Sequence, residues 1–192
     1  MNYPKYWIES GAAHYGYDKL CQKLVRLILK SKPKKVYDLA CGIGFPFIEK
    51  MLEKGIEVSG SDKSFLLVQK ARESYPRANL KVGGYSEIVE SENTFDVSYC
   101  ARSSFYLPDI KRMIDELVRI TKPGGKIIFD ITDITKTKKT LKQRIASIVY
   151  FRNTYPDTYY PSFRDVEYIL CSLNLKYETS KFENKIIFEI TK

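Results

Sequence analysis

Val36-Tyr37-Asp38-Leu39-Ala40-Cys41-Gly42-Ile43-Gly44 is the stretch whose reading decides the fold. An apolar run reaches an acid and then breaks into a glycine turn. A buried parallel strand ends this way at a nucleotide-type cofactor loop. Gly42 and Gly44 let the backbone approach a ligand where a Cβ would clash. A second signal follows at the expected distance. Val58-Ser59-Gly60-Ser61-Asp62 sets a carboxylate at the end of the next strand. An acid there is placed to accept hydrogen bonds from both ribose hydroxyls. The two signals together point to an enzyme that uses a cofactor.

Working outward, strands and helices alternate. Leu20, Leu24, Leu27 and Ile28 repeat at helical spacing, so a first amphipathic helix runs to about Leu29, and Ser31-Lys32-Pro33 ends it. Strands are expected at Lys35 to Leu39, Glu57 to Ser61, Asn79 to Val82, Phe95 to Cys100 and Lys126 to Ile131. Between them lie a helix from near Phe45 to Lys54, stopped by Gly55, and one capped by Ser64 that carries Phe65, Val68 and Ala71. Ile110, Ile114, Leu117 and Val118 mark another before Pro123-Gly124-Gly125. After Ile131 the alternation is interrupted by a basic segment, a helix around Leu141 to Tyr150 and a tyrosine-rich stretch from Tyr155 to Tyr160. Ser162 with Asp165 reads as a capped helix start, with Val166, Ile169, Leu170 and Leu173 as its apolar stripe. Two last strands, Leu175 to Phe182 and Lys185 to Ile190, pair through Glu183-Asn184. The pattern predicts an α/β domain with a doubly wound, mostly parallel sheet and helices on both faces. Ligands of such sheets sit beyond the carboxyl ends of the strands, where these motifs fall.

On these residues the chain resembles the class I S-adenosylmethionine-dependent methyltransferases, in particular those acting on small molecules. Asp38 to Gly44 looks like the family's first motif, and Asp62 like its ribose-binding acid. Phe95-Asp96-Val97-Ser98-Tyr99-Cys100 resembles its fourth strand. Leu107-Pro108-Asp109 and then Glu116 to Gly125, with Lys122-Pro123-Gly124-Gly125, are similar to its late signature. The resemblance implies a Rossmann-like seven-stranded sheet with an antiparallel last strand. It implies S-adenosylmethionine as the cofactor and methyl transfer to oxygen, nitrogen or carbon of a small acceptor. A nicotinamide dinucleotide fits less well. That fingerprint needs a third glycine for close helix packing, and Phe47 stands there.

The resemblance also distributes roles. Asp38 would order the loop and reach the methionine amino group, with the backbone of Ala40, Cys41, Gly42 and Gly44 facing the methionine portion. Asp62 would bind the ribose, Lys63 would lie along the adenine edge, and Cys100 and Ala101 would sit under the methionine part. Ala40 stands where the family has its first glycine, and fits if its backbone keeps a negative φ. Gly84 stands where many relatives place an acid for the adenine amino group, leaving Tyr85 or Glu87 to meet the ring. Substrate contacts are expected from Tyr6, Tyr15, Tyr17, Arg102 and Tyr159, and a general base from His14. An N-terminal lid over about 1–30 and a cap over about 133–160 would cover a single domain, residues 1–192.

Composition narrows the function. The chain has 192 residues and an apolar share of 44%, ordinary for one packed domain. No apolar run is long enough to span a bilayer, and Met1 to Trp7 carries no signal core, so the cytoplasm is the expected location. Cys21, Cys41, Cys100 and Cys171 are scattered, and with one histidine no zinc site is expected. After the fourth strand, Cys100-Ala101-Arg102-Ser103 lacks the Pro-Pro-aromatic motif of base-amino methylases. No cysteine follows proline, as cytosine-carbon methylases commonly require. The net charge of +9, densest at Lys136, Lys138, Lys139, Lys142 and Arg144, reads first as a solvated face. An RNA or tRNA methyltransferase using this basic cap, and a methyltransferase-fold protein that only binds partners, are the alternatives.

Overall fold

The computed structural model describes residues 18–104, 109–133 and 161–192. Asp18 caps the first helix, its Oδ1 accepting the Cys21 N–H at 2.8 Å. This α1 (Lys19–Lys30) buries Leu20, Cys21, Leu24, Val25 and Ile28 as one stripe. The chain then runs through β1 (Lys35–Leu39), α2 (Phe47–Glu53), β2 (Glu57–Asp62), α3 (Phe65–Ser74) and β3 (Asn79–Val82). A short 3₁₀ turn, Tyr85–Glu87, precedes β4 (Phe95–Cys100), α4 (Ile110–Ile120) and β5 (Thr121–Thr132). α5 (Phe163–Ser172), β6 (Lys176–Phe182) and β7 (Lys185–Thr191) complete it.

The seven strands form one sheet in the order β3-β2-β1-β4-β5-β7-β6. β1 pairs in parallel with both β2 and β4, so chain order reverses beside it. A ligand crevice opens at such a reversal, past the carboxyl ends of the strands. β7 runs antiparallel between β5 and β6, as the terminal hairpin predicts. On one face α1, α2 and α3 pack on Val36, Val58, Leu80, Val97, Ile128 and Ile187. On the other, α4 and α5 pack on Tyr37, Leu39, Phe95, Phe129 and Phe188. Phe129 and Phe188 stack at 5.2 Å between centroids, worth about 1 kcal/mol beyond the area they bury. The caps act as the sequence predicts. Ser64 Oγ accepts the Leu67 N–H, and Ser162 and Asp165 form a reciprocal capping box.

One local reading needs correction. β5 begins at Thr121, not at Lys126, and Lys122-Pro123-Gly124-Gly125 is a bulge inside it. Thr121 already pairs with Phe95 and Lys126 with Val97, so the residues between them loop out. Gly124 has φ +77, and a Cβ on Gly125 would sit 2.8 Å from the Asp96 carbonyl oxygen. α3 carries Phe65, Val68 and Ala71 as expected; Phe65 is 62% exposed, and the buried residues are Val68 and Ala71. The helix expected near Leu141 to Tyr150, the cap and residues 1–17 lie outside the described residues.

Candidate active site

The loop after β1 is built from left-handed residues. Ala40, Gly42 and Gly44 have φ of +60, +55 and +84. The negative φ expected of Ala40 is therefore overturned: the strand leaves the sheet through a left-handed step, and alanine takes that step at a cost. Left-handed backbone costs a residue with a Cβ roughly 1–2 kcal/mol. Ala40→Gly should accordingly raise stability by about 1 kcal/mol, or about 2–4 °C in melting temperature for a chain of this size. Unchanged melting would mean that the Ala40 methyl makes up the difference by packing. At Gly44 a Cβ would lie 2.8 Å from the Tyr75 ring, so glycine is required there for space and for φ. A Cβ on Gly42 or Gly84 would meet nothing within 4 Å, so both border open space.

Asp62 ties this loop to the next unit. Its Oδ2 accepts the Gly42 N–H and its Oδ1 accepts the Ser64 N–H, each at 2.9 Å. Each oxygen keeps a lone pair for a further donor. Burial pushes the Asp62 carboxyl above its ordinary range, while the two backbone N–H groups and Lys63 pull it back. Gly83 N–H bonds the Asp62 carbonyl at 3.0 Å, which brings the end of β3 alongside.

Asp38 is 3% exposed and stands in register with Gly60 on β2 and Tyr99 on β4. Gly60 makes the space, since a Cβ there would lie 2.6 Å from the Asp38 carbonyl oxygen. Among the described residues no cation pairs with Asp38. Burial pushes its carboxyl well above the usual range; the Tyr99 hydroxyl beside it works in the opposite direction, and the charge of Asp62 adds to the rise. The Tyr99 hydroxyl is itself fully buried beside Asp38 and, among the described residues, meets no partner at close hydrogen-bond geometry. Burial also pushes the Cys41 and Cys100 thiols well up, with Asp38 and Asp62 adding to both. Both therefore stay protonated and are poor nucleophiles.

The remaining expected residues are distributed as follows. Lys63 is exposed at the start of the turn into α3. Gly84 donates its N–H to Glu87 Oε2 at 2.9 Å, so Glu87 is occupied in closing the 3₁₀ turn. Tyr85 is half-buried against the α4 and α5 core. Cys100 is fully buried in that same core. Ala101 is half-buried against the opposite core. The Arg102 guanidinium bonds Asp18 and Cys21. His14, Tyr6, Tyr15, Tyr17 and Tyr159 lie outside the described residues. Sequence reasoning passed over Tyr99, Gly60 and Asp130. A lone glycine inside a strand signals close backbone approach, and Ile127 to Asp130 repeats the apolar-run-to-acid pattern of β1.

A family model described as a methyltransferase domain matches residues 37–129, which span β1 to β5 and include Asp38, Asp62 and Tyr99. Over these residues the chain resembles the class I S-adenosylmethionine-dependent methyltransferases. Over 138 residues it is 28% identical to the ubiquinone biosynthesis O-methyltransferase of Coxiella burnetii, covering 70% of this chain and 58% of that one. The chain thus spans little more than half the length of that relative. An S-adenosylmethionine-dependent methyltransferase from Mesorhizobium loti superposes with a TM-score of 0.76 at 15% identity, covering 95% of this chain and 99% of that one. A Haloferax volcanii chain solved with a methyltransferase activator superposes at 0.78 and 16% identity, covering 98% and 96%. These likenesses to solved structures establish the fold.

S-adenosylmethionine is the cofactor of this methyltransferase family, and the residues fit it. Asp62 has lone pairs to spare, the left-handed loop leaves open space, and the buried Asp38 carboxyl has no cationic partner among the described residues. No described helix is long and apolar enough to cross a membrane.

Proposed function

We propose that the protein transfers the methyl group of S-adenosylmethionine to a small aromatic acceptor, at a ring hydroxyl. The observation that carries the donor half is the convergence of Asp38, the left-handed loop and Asp62 at the carboxyl ends of adjacent strands. The relative named for O-methylation in ubiquinone biosynthesis supports the acceptor half. When bound, the donor supplies an already activated methyl group, so the protein's work is positioning. Asp62 would take the two ribose hydroxyls while its own backbone bonds keep it oriented. Asp38 would take the methionine ammonium, which would favour the ionised form of a carboxyl that has no cationic partner among the described residues. The backbone from Ala40 to Gly44 would follow the methionine portion closely.

Calorimetric titration with S-adenosylmethionine and S-adenosylhomocysteine tests the donor half, with micromolar binding expected. Turnover with a simple catechol, read by mass spectrometry as a gain of one methyl group, tests the acceptor half. Binding without catechol methylation would move the acceptor to another class. No binding of either ligand would favour a partner-binding protein on the same fold.

A nucleic-acid acceptor is the second reading. α1 presents Lys19, Lys23, Arg26 and Lys30 without an acid on the helix. Lys23 also meets the Lys181 carbonyl, and Lys30 approaches Glu189 at 3.8 Å. RNA binding that weakens steeply with salt would support this reading, and none at low salt would remove it.

A further inference from the structure

Arg102 occupies a special place at the carboxyl edge of the sheet. It follows β4 and Ala101 directly, and its φ of +60 is a left-handed conformation that arginine adopts at a cost. Groups on α1 and β5 hold it. Its backbone N–H donates to Asp130 Oδ1, and its Nη1 donates to Asp18 Oδ2 and to Cys21 Sγ. Asp130 is fully buried in β5 and pairs through Oδ2 with Lys185 of β7 at 3.1 Å. Ser104 Oγ donates to the Asp130 carbonyl oxygen, so the loop from Arg102 to Ser104 is fastened to β5 at both ends.

Asp18 divides its carboxylate. Oδ1 caps α1 through the Cys21 N–H and Oδ2 receives Arg102. Partial burial alone would raise the Asp18 carboxyl; the Cys21 N–H and the guanidinium outweigh it and hold the group below its ordinary range. The Arg102 side chain is 20% exposed and its partner 42%, so the guanidinium end of this pair is partly shielded while the carboxylate end stays open to solvent. One residue thus joins the end of β5, the loop after β4 and the first turn of α1. The two ends of the ion pair are 84 residues apart in sequence.

We propose that Arg102 is a positioning residue that couples the donor site to the start of α1, through Asp130 on one side and Asp18 on the other. This rests on the donor reading of the neighbouring Cys100 and Ala101 backbone. Coupling through a shared rigid contact is reciprocal: donor binding that settles the loop after β4 also settles the first turn of α1. Arg102 then acts through its neighbours instead of pairing with an acidic acceptor.

Hydrogen exchange with and without S-adenosylhomocysteine tests this, using the full chain. In the wild type the ligand should slow exchange about tenfold both at residues 101–104 and at residues 18–22. In Asp18→Asn the asparagine still caps the helix, so folding is preserved while the charge pair is lost. There the ligand should still protect residues 101–104, and its protection of residues 18–22 should disappear. Arg102→Gln should give the same loss. Protection of residues 101–104 alone in the wild type would overturn the proposal, as would Asp18→Asn and wild type behaving alike. A wild type that binds no S-adenosylhomocysteine fails the donor reading separately. In that case faster exchange at residues 101–104 in unliganded Asp18→Asn still supports the contact, and unchanged exchange overturns it.

Discussion

Asp62→Ala is expected to raise the dissociation constant for S-adenosylhomocysteine at least 100-fold, about 2.7 kcal/mol. Two losses combine. The ribose hydroxyls lose a charged acceptor, and such hydrogen bonds are worth about 1.5–3 kcal/mol. The loop also loses its fixation, because the Gly42 and Ser64 N–H groups both bond this carboxylate. Freed of that restraint, the left-handed run from Ala40 to Gly44 would have to be reordered at binding. The same substitution should lower stability by about 2 kcal/mol, offset in part because a costly buried charge is removed. Asp62→Asn separates the two effects. Its carbonyl keeps one backbone partner and one acceptor for ribose, so a loss near tenfold with milder destabilisation is expected. Calorimetry and thermal melting on the three proteins decide the matter. If Asp62→Ala melts early yet binds within threefold of wild type, Asp62 is a loop fastener and the ribose lies elsewhere.

Much of this site could be read in advance because each strand end carries a local signature. Val36 to Asp38 and Val58 to Asp62 are apolar or small runs closed by an acid, and burial plus turn chemistry leave them little freedom. The sheet followed from the same alternation, and β7 found its antiparallel place because a two-residue turn permits nothing else. What escaped was non-local or sterically subtle. Ala40 carries no sign of its left-handed φ, since alanine ordinarily avoids it; the fold imposes it. Tyr99 looks like core by strand alternation, and only the register with Asp38 shows that its hydroxyl lies beside that carboxyl. Arg102 looked available to an anion because its partner, Asp18, is distant in sequence. The Gly124-Gly125 pair could end a helix or bulge a strand, and the pairing of Thr121 with Phe95 decides it.

Asp38→Asn should separate stability from binding. The wild-type carboxyl is buried beside Tyr99, with Asp62 nearby and no paired cation among the described residues, and its folded pKa stands well above the ordinary 3.8. A folded group that holds its proton more tightly than in the unfolded chain loses stability as pH rises from its ordinary value toward its folded one. At neutral pH the wild type therefore bears the cost of ionising Asp38 or of keeping it protonated against solvent. Asparagine has the same shape and no such cost. The variant should gain about 1 kcal/mol at neutral pH, and that gain should shrink toward pH 4. Binding should move the other way. A cationic ammonium favours ionised Asp38, so wild-type affinity should climb with pH through the raised pKa and then level off. Asp38→Asn should bind at least tenfold more weakly, with that climb abolished. Melting and calorimetry across the same pH series read both effects on one sample. A variant that is less stable and binds normally would make Asp38 a strand-end cap of its own loop, because an acid that only serves a turn has no reason to respond to the ligand's charge.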